Sequence, residues 1–177
     1  MMKVCRLFAL ALAFSFLLAV SAVAADKGVY PITPRDNNGK KWRLAYYEGG
    51  QYVDYPVVFK AILQGLVDLG WMQVTFPKET VTNHREFWQW LSQNVTSDYL
   101  EFVPDAFYSP GDFDKDLRAQ TQAAYLERVN TKKDIDLVFA LGTWAGQDLA
   151  NDKHHVPTIV ASCSDPLGSR IIKSYDD

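Results

Sequence analysis

The amino-acid sequence predicts an α/β fold, a doubly wound parallel sheet carrying helices on both faces. Three observations carry that expectation. From Trp42 onward, strand-like runs alternate with segments whose apolar residues recur three and four positions apart. The stretch DIDLVFALGT is apolar almost without interruption, which is what a strand buried on both faces of a parallel sheet requires. Glycines follow two of the strand-like runs directly, where a strand must turn sharply into a helix.

In chain order, residues 1–24 come first. Lys3 and Arg6 flank the start of an apolar run from Leu7 to Val20, followed by SAVAA. Ala22 and Ala24 supply the small side chains that a signal peptidase needs three and one positions before its cut. The run is shorter than the roughly 20 residues that span a bilayer. The expectation is therefore a cleaved secretory signal peptide, cut after Ala24 or, nearly as well, after Ala25. Cys5 lies inside this leader and cannot be the lipid-bearing first residue of a mature lipoprotein, so a soluble product is expected. Cleavage leaves 153 residues and takes the formal charge from −3 to −5, a length that fits one modest domain. A mildly acidic chain with no basic run has nothing to track a phosphate backbone, which argues against nucleic acid as a partner. Cys163 is then the one remaining cysteine, so no intrachain disulfide is expected and the core must hold the fold.

Residues 25–41 are polar, with Pro31, Pro34 and Gly39, and read as an irregular arm. WRLAYYE is a short strand broken by Gly49 and Gly50. From Asp54 the spacing of Val57, Val58, Ala61, Ile62, Leu66 and Leu69 predicts a helix, opened by Pro56 and closed by Gly70. MQVTFPKET reads as a weak strand or extended loop, and a second helix is expected over 84–93 with Phe87, Trp88 and Leu91 on one side. YLEFV supplies strand residues up to Val103, Pro110-Gly111 a turn, and 113–129 a helix whose buried face holds Leu117, Tyr125, Leu126 and Val129. After the central strand come a short helix over 144–150, a loop at HHVP, and a further buried strand in TIVASCSDP.

In an open parallel sheet, ligands bind beyond the carboxyl ends of the strands, where loops converge. The residues expected there are Tyr47, Glu48, Gly49, Gly50 and Tyr52 after the first strand, Gly142, Thr143 and Trp144 after the central one, and Ser162, Ser164 and Asp165 after the last. Thr143 can cap a helix and still offer its hydroxyl, and Trp144 can stack on a ligand or staple its own helix. Gly49 and Gly50 either turn the chain or admit a ligand; Ser164-Asp165-Pro166 either stops a strand or touches one. Glu48 reads first as a solvated loop charge, with contact to a substrate amine as the alternative.

Catalytic readings are weaker. GTWAG has the outline of a nucleophile turn, but Trp144 stands where G-x-S-x-G has its serine. His154 and His155 with Asp152 lack a further ligand pair at metal-binding spacing, so no metal is expected and the pair reads as a solvated loop. Cys163 has no basic neighbour and reads as an inert core thiol. Asn94-Val95-Thr96 matches a glycosylation triplet too short to decide anything. No catalytic residue and no cofactor are assigned; a secreted single-domain α/β hydrolase using Thr143 or Ser164 with His154 or His155 is the alternative.

YPVVFKAILQGLVDLGW, WQWLSQNVTSDYLEFVPDAFYS, DIDLVFALGTWAGQDLAN and PTIVASCSDPLGSRIIKS together resemble the substrate-binding proteins of bacterial ABC importers. The nearest group is the one related to receptors for tryptophan and other aromatic amino acids, with a type I periplasmic-binding-protein fold. The resemblance runs from Trp42 to Ser174, and GTWAG followed at this distance by SDP is its most specific part. It implies a periplasmic receptor without chemistry of its own, which captures a small-molecule solute between two lobes. The receptor delivers the solute to ABC permease subunits in the inner membrane. Hinge closure follows because the ligand touches both lobes in the closed form alone. The implied ligand residues are Glu48, Gly49, Gly50, Tyr52, Gly142, Thr143, Trp144, Ser164 and Asp165. Chains of that family run to about double this length, so the expectation is a first lobe over 42–174, with 175–177 starting a crossover to a second. Such a lobe alone is expected to bind solute weakly or not at all and to expose the apolar face that returning segments would cover. The solute stays open between an aromatic amino acid, a sugar and a purine.

Overall fold

The computed structural model describes residues 32–79 and 82–176. The expected leader and its cleavage site lie outside the described residues. What is described of the arm folds back on itself: Asn37 and Lys40 form an isolated antiparallel bridge, and the Trp42 indole N–H donates to the Arg35 carbonyl at 2.9 Å.

Eight elements follow: β1 (Trp42–Glu48), α1 (Tyr55–Asp68), α2 (His84–Asn94), β2 (Leu100–Tyr108), α3 (Lys115–Thr131), β3 (Leu137–Leu141), α4 (Thr143–Leu149) and β4 (Thr158–Ala161). The four strands form one parallel sheet in the order β2-β1-β3-β4. Successive strand side chains point to opposite faces, and β1 uses both. Leu44 and Tyr46 enter a core with Tyr55, Phe59 and Leu63 of α1 and Phe87, Trp88 and Leu91 of α2. Ala45 and Tyr47 enter a second core with Tyr125 and Val129 of α3 and Ala145 and Leu149 of α4. β3 is central, and Val138, Phe139, Ala140 and Leu141 are all buried, as the uninterrupted apolar run predicts.

Local chemistry sets the helix ends. The Asn83 side chain accepts from Glu86 N–H at 3.1 Å to start α2, and Asp114 accepts from Asp116 and Leu117 N–H to start α3. α1 starts instead with Pro56 in its first turn, and Asp54 at its cap position makes no side-chain cap bond.

Three expectations need correction. β2 does not stop near Val103 but continues to Tyr108. Its pairing with β1 shifts register between Leu44 and Tyr46, because Leu44 pairs Phe102 whereas Tyr46 pairs Phe107. Pro104 sits in this bulge, and a residue without an N–H is tolerated there because β2 has a neighbour on one side alone. Leu117 is 45% exposed, since α3 begins later than its apolar spacing suggested and buries Tyr125, Arg128 and Val129 from its second half. β4 is four residues long and half-exposed; Ser162 to Asp165 leave the sheet as a loop.

At the amino ends of the strands, Arg128, 9% exposed, donates to both Asp134 oxygens (2.9 and 2.8 Å) and to Asp105 (3.0 Å). Arg43 bridges the same Asp134 to Glu101. A groove of about 390 Å³ opens on the α1 face, lined by Trp42, Ile62, Leu66, Trp71, Leu137 and Ile159 among others. Ile159 is 44% exposed. Among the described residues, no helix is long and apolar enough to cross a membrane.

Candidate functional site

The carboxyl ends of β1, β3 and β4 open onto one cleft of about 550 Å³. Tyr52 and Asp54 reach it from the loop after β1, Tyr55 from the first turn of α1, and Thr143 and Trp144 from the start of α4. Ser162, Cys163 and Ser164 enter after β4, and Phe113 enters after β2. Four of the expected ligand residues, Tyr52, Thr143, Trp144 and Ser164, are thereby brought together from the loop after β1, the start of α4 and the loop after β4. Phe113 and Ser162 both hold left-handed backbone, at φ 57 and φ 58. For residues with a side chain such conformations are uncommon and gather at binding and catalytic sites.

The expected glycines form the floor of the cleft and do not line it. A Cβ on Gly49 would lie 2.5 Å from Trp144 Cβ and 3.0 Å from the Ala145 amide, so its absence lets the end of β1 pass under α4. At Gly142, φ is +91 and a Cβ would meet the Tyr55 hydroxyl at 1.8 Å. Gly50 lies against the Phe113 ring in the same way, with the loops pinned together by Gln51 N–H donating to Gly111 O at 2.8 Å.

Trp144 is half-buried and held from behind. The Arg118 guanidinium lies 4.5 Å from its ring centroid, and the Phe113 ring meets it edge-on at 5.5 Å. Arg118 in turn grips both oxygens of Asp148, Nε donating to Oδ1 at 2.9 Å and to Oδ2 at 3.0 Å and Nη2 to Oδ1 at 2.7 Å, and Asp148 accepts from the Tyr47 hydroxyl at 3.0 Å. Tyr47 is therefore not an aromatic wall of the cleft. It is the last inward residue on the α3 and α4 face, and burial, then Asp148, push its hydroxyl pKa far above the ordinary value.

Glu48 is the largest correction. It is the final residue of β1 and is 0% exposed, not a solvated loop charge. His84 Nδ1 lies 2.5 Å from its Oε2, the Tyr46 hydroxyl donates to Oε2 at 3.1 Å, and Ser109 Oγ donates to Oε1 at 2.6 Å. A carboxylate so enclosed is compensated by its donors. It is a support under the cleft, and it does not line it. Its charge is still felt there: burial, then Glu48, then Tyr52 and Cys163 push the Tyr55 hydroxyl up to about 12.

Asp165 accepts from Gly168 N–H at 2.7 Å and closes a turn that returns Ile171 onto Gly146, so it organises the chain beside the cleft. Cys163 is not a core thiol: it is half-exposed in the cleft, with Thr143 Oγ1 at 3.7 Å from its sulfur. His154 is no solvated loop residue either. It is buried, with Nε2 at 2.9 Å from Leu149 O and Nδ1 accepting from Val156 N–H at 3.2 Å. Burial and the neighbouring His155 lower its pKa. His155 lines a different cavity with Lys133 and Asp136. The dyad of Thr143 or Ser164 with either histidine is not assembled. Among the described residues, no group of three His, Cys, Asp or Glu side chains is placed to hold a metal.

Asp54, Tyr55 and Phe113 were not singled out from the sequence. The signal for Phe113 was present: its loop follows β2 and so leaves the sheet at the same edge as the others. Comparisons with protein-family models, curated proteins and solved structures returned no match to this chain.

Proposed function

We propose that this chain forms a solute-binding lobe of the type I periplasmic-binding class, a doubly wound α/β unit serving an ABC importer. In this reading a cleaved leader exports it to the periplasm, a small solute binds at the carboxyl edge of the sheet, and permease subunits in the inner membrane receive the solute. It acts by binding, without chemistry of its own. One observation carries the proposal: Tyr52, Thr143, Trp144 and Ser164, drawn from two loops and the start of α4, converge on one cleft of about 550 Å³, a size that suits a small molecule. The strand order and the two cores support the doubly wound description.

The test is a solute screen by calorimetry and by the fluorescence of Trp144. Saturable binding abolished by Trp144→Ala and Thr143→Ala supports the reading. Turnover of a bound ester that disappears in Thr143→Ala would instead support the hydrolase.

A further inference from the structure

We propose that the cleft selects an organic cation, a solute presenting an ammonium or quaternary ammonium group; this rests on reading the cleft as a solute site. Asp54 carries the argument. Its backbone at the start of α1 is helical, at φ −85 and ψ −16, its carboxylate makes no cap bond, and it pairs with no group among the described residues. It is exposed and lines the same cleft as the rings of Tyr52, Tyr55 and Phe113. Among the described residues, no lysine, arginine or histidine lines the cleft.

The base nearest in role, Arg118, is drawn behind Trp144 and fastened to both oxygens of Asp148. It cannot neutralise Asp54 without releasing that bidentate pair. An unpaired carboxylate beside aromatic faces is the arrangement that attracts organic cations, because the ring quadrupole and the charge act in the same direction. An anionic solute meets Asp54 with no compensating base, and a neutral one gains neither term. The hydroxyls of Thr143, Ser162 and Ser164 remain to orient a polar tail.

The experiment compares benzyltrimethylammonium, benzyl alcohol and benzoate by titration calorimetry with the purified protein. The expected result is that the cation binds about tenfold or more tighter than the alcohol, benzoate does not bind, and added salt weakens the cation. Asp54→Asn is expected to remove most of that preference while its circular dichroism and urea midpoint stay unchanged, because the carboxylate has no partner to lose. Equal affinity for the three probes, or a preference that survives Asp54→Asn, overturns the proposal. A screen positive for neutral or anionic solutes alone overturns it too but leaves the solute-receptor reading standing. A screen blank for every class at millimolar probe overturns the cation proposal, whereas the receptor reading already expects weak or no binding by one lobe alone.

Discussion

Glu48 Oε2 and His84 Nδ1 meet at 2.5 Å beneath the cleft, joining the carboxyl end of β1 to the first residue of α2. With both side chains buried, removing one partner strands the other. His84→Ala is expected to cost about 3–5 kcal/mol, and His84→Gln, which keeps a donor, to cost less. Urea denaturation measures both. A loss within a few tenths of a kcal/mol for the alanine variant would show that Tyr46 and Ser109 satisfy Glu48 unaided.

Gly142 and Gly111 separate two kinds of glycine requirement. Both hold left-handed backbone, at φ +91 and φ +71, but a Cβ at Gly111 meets nothing within 4 Å whereas one at Gly142 meets the Tyr55 hydroxyl. Gly111→Ala is expected to cost about 1–2 kcal/mol from backbone strain. Gly142→Ala should cost more and also distort the cleft, read as a lower melting temperature together with weaker solute binding. Equal losses at the two positions would mean that Tyr55 yields freely.

The Tyr125 hydroxyl is buried and has no hydrogen-bond partner among the described residues, while its ring packs edge-on to Tyr47 at 5.8 Å and Tyr108 at 5.3 Å. Tyr125→Phe keeps the ring contacts and removes an unsatisfied polar group. It is expected to be neutral or stabilising, by about 1 kcal/mol. A clear loss in a chemical melt would reveal a bound water or partner at that hydroxyl.

Acid should weaken the fold in two steps. Burial lowers the His154 pKa from its ordinary 6.5, so folding favours the neutral ring; its contribution is complete above 6.5 and is lost as pH falls through the folded value. Hydrogen bonds from Arg128 hold Asp134 below its ordinary 3.8, and that contribution is present above 3.8 and lost further down. Urea midpoints against pH should fall first below 6.5 and again below 3.8, with His154→Gln removing the first step and Asp134→Asn the second. Midpoints that stay level between pH 7 and pH 5 in the unmutated protein would contradict the His154 assignment.

The elements most legible in the sequence were those whose burial is written as a pattern: β1, α1 and the doubly buried β3. β2 was foreshortened because Pro104 and Asp105 break the strand pattern, and no local feature announces that a bulge absorbs them. β4 was extended because alternation cannot tell an edge strand from a central one. The candidate site was half legible. Strand ends located the cleft and five of its lining residues, Ser162 among them, but Glu48 beside two glycines looks solvated until its partner, 36 residues away, is seen to cover it. Cys163 failed for the related reason that its strand ends two residues early.

The bulge in β2 also bears on how this protein meets other chains. A strand joins a sheet by matching evenly spaced N–H and C=O groups, and β2, bent by its register shift and missing an N–H at Pro104, offers no regular row for it. β4, at the opposite margin of the described sheet, pairs in regular register with β3 but is four residues long. Of the two edges of the described sheet, the regular row of backbone groups an added strand would need is therefore found at Thr158–Ala161, and there it is short.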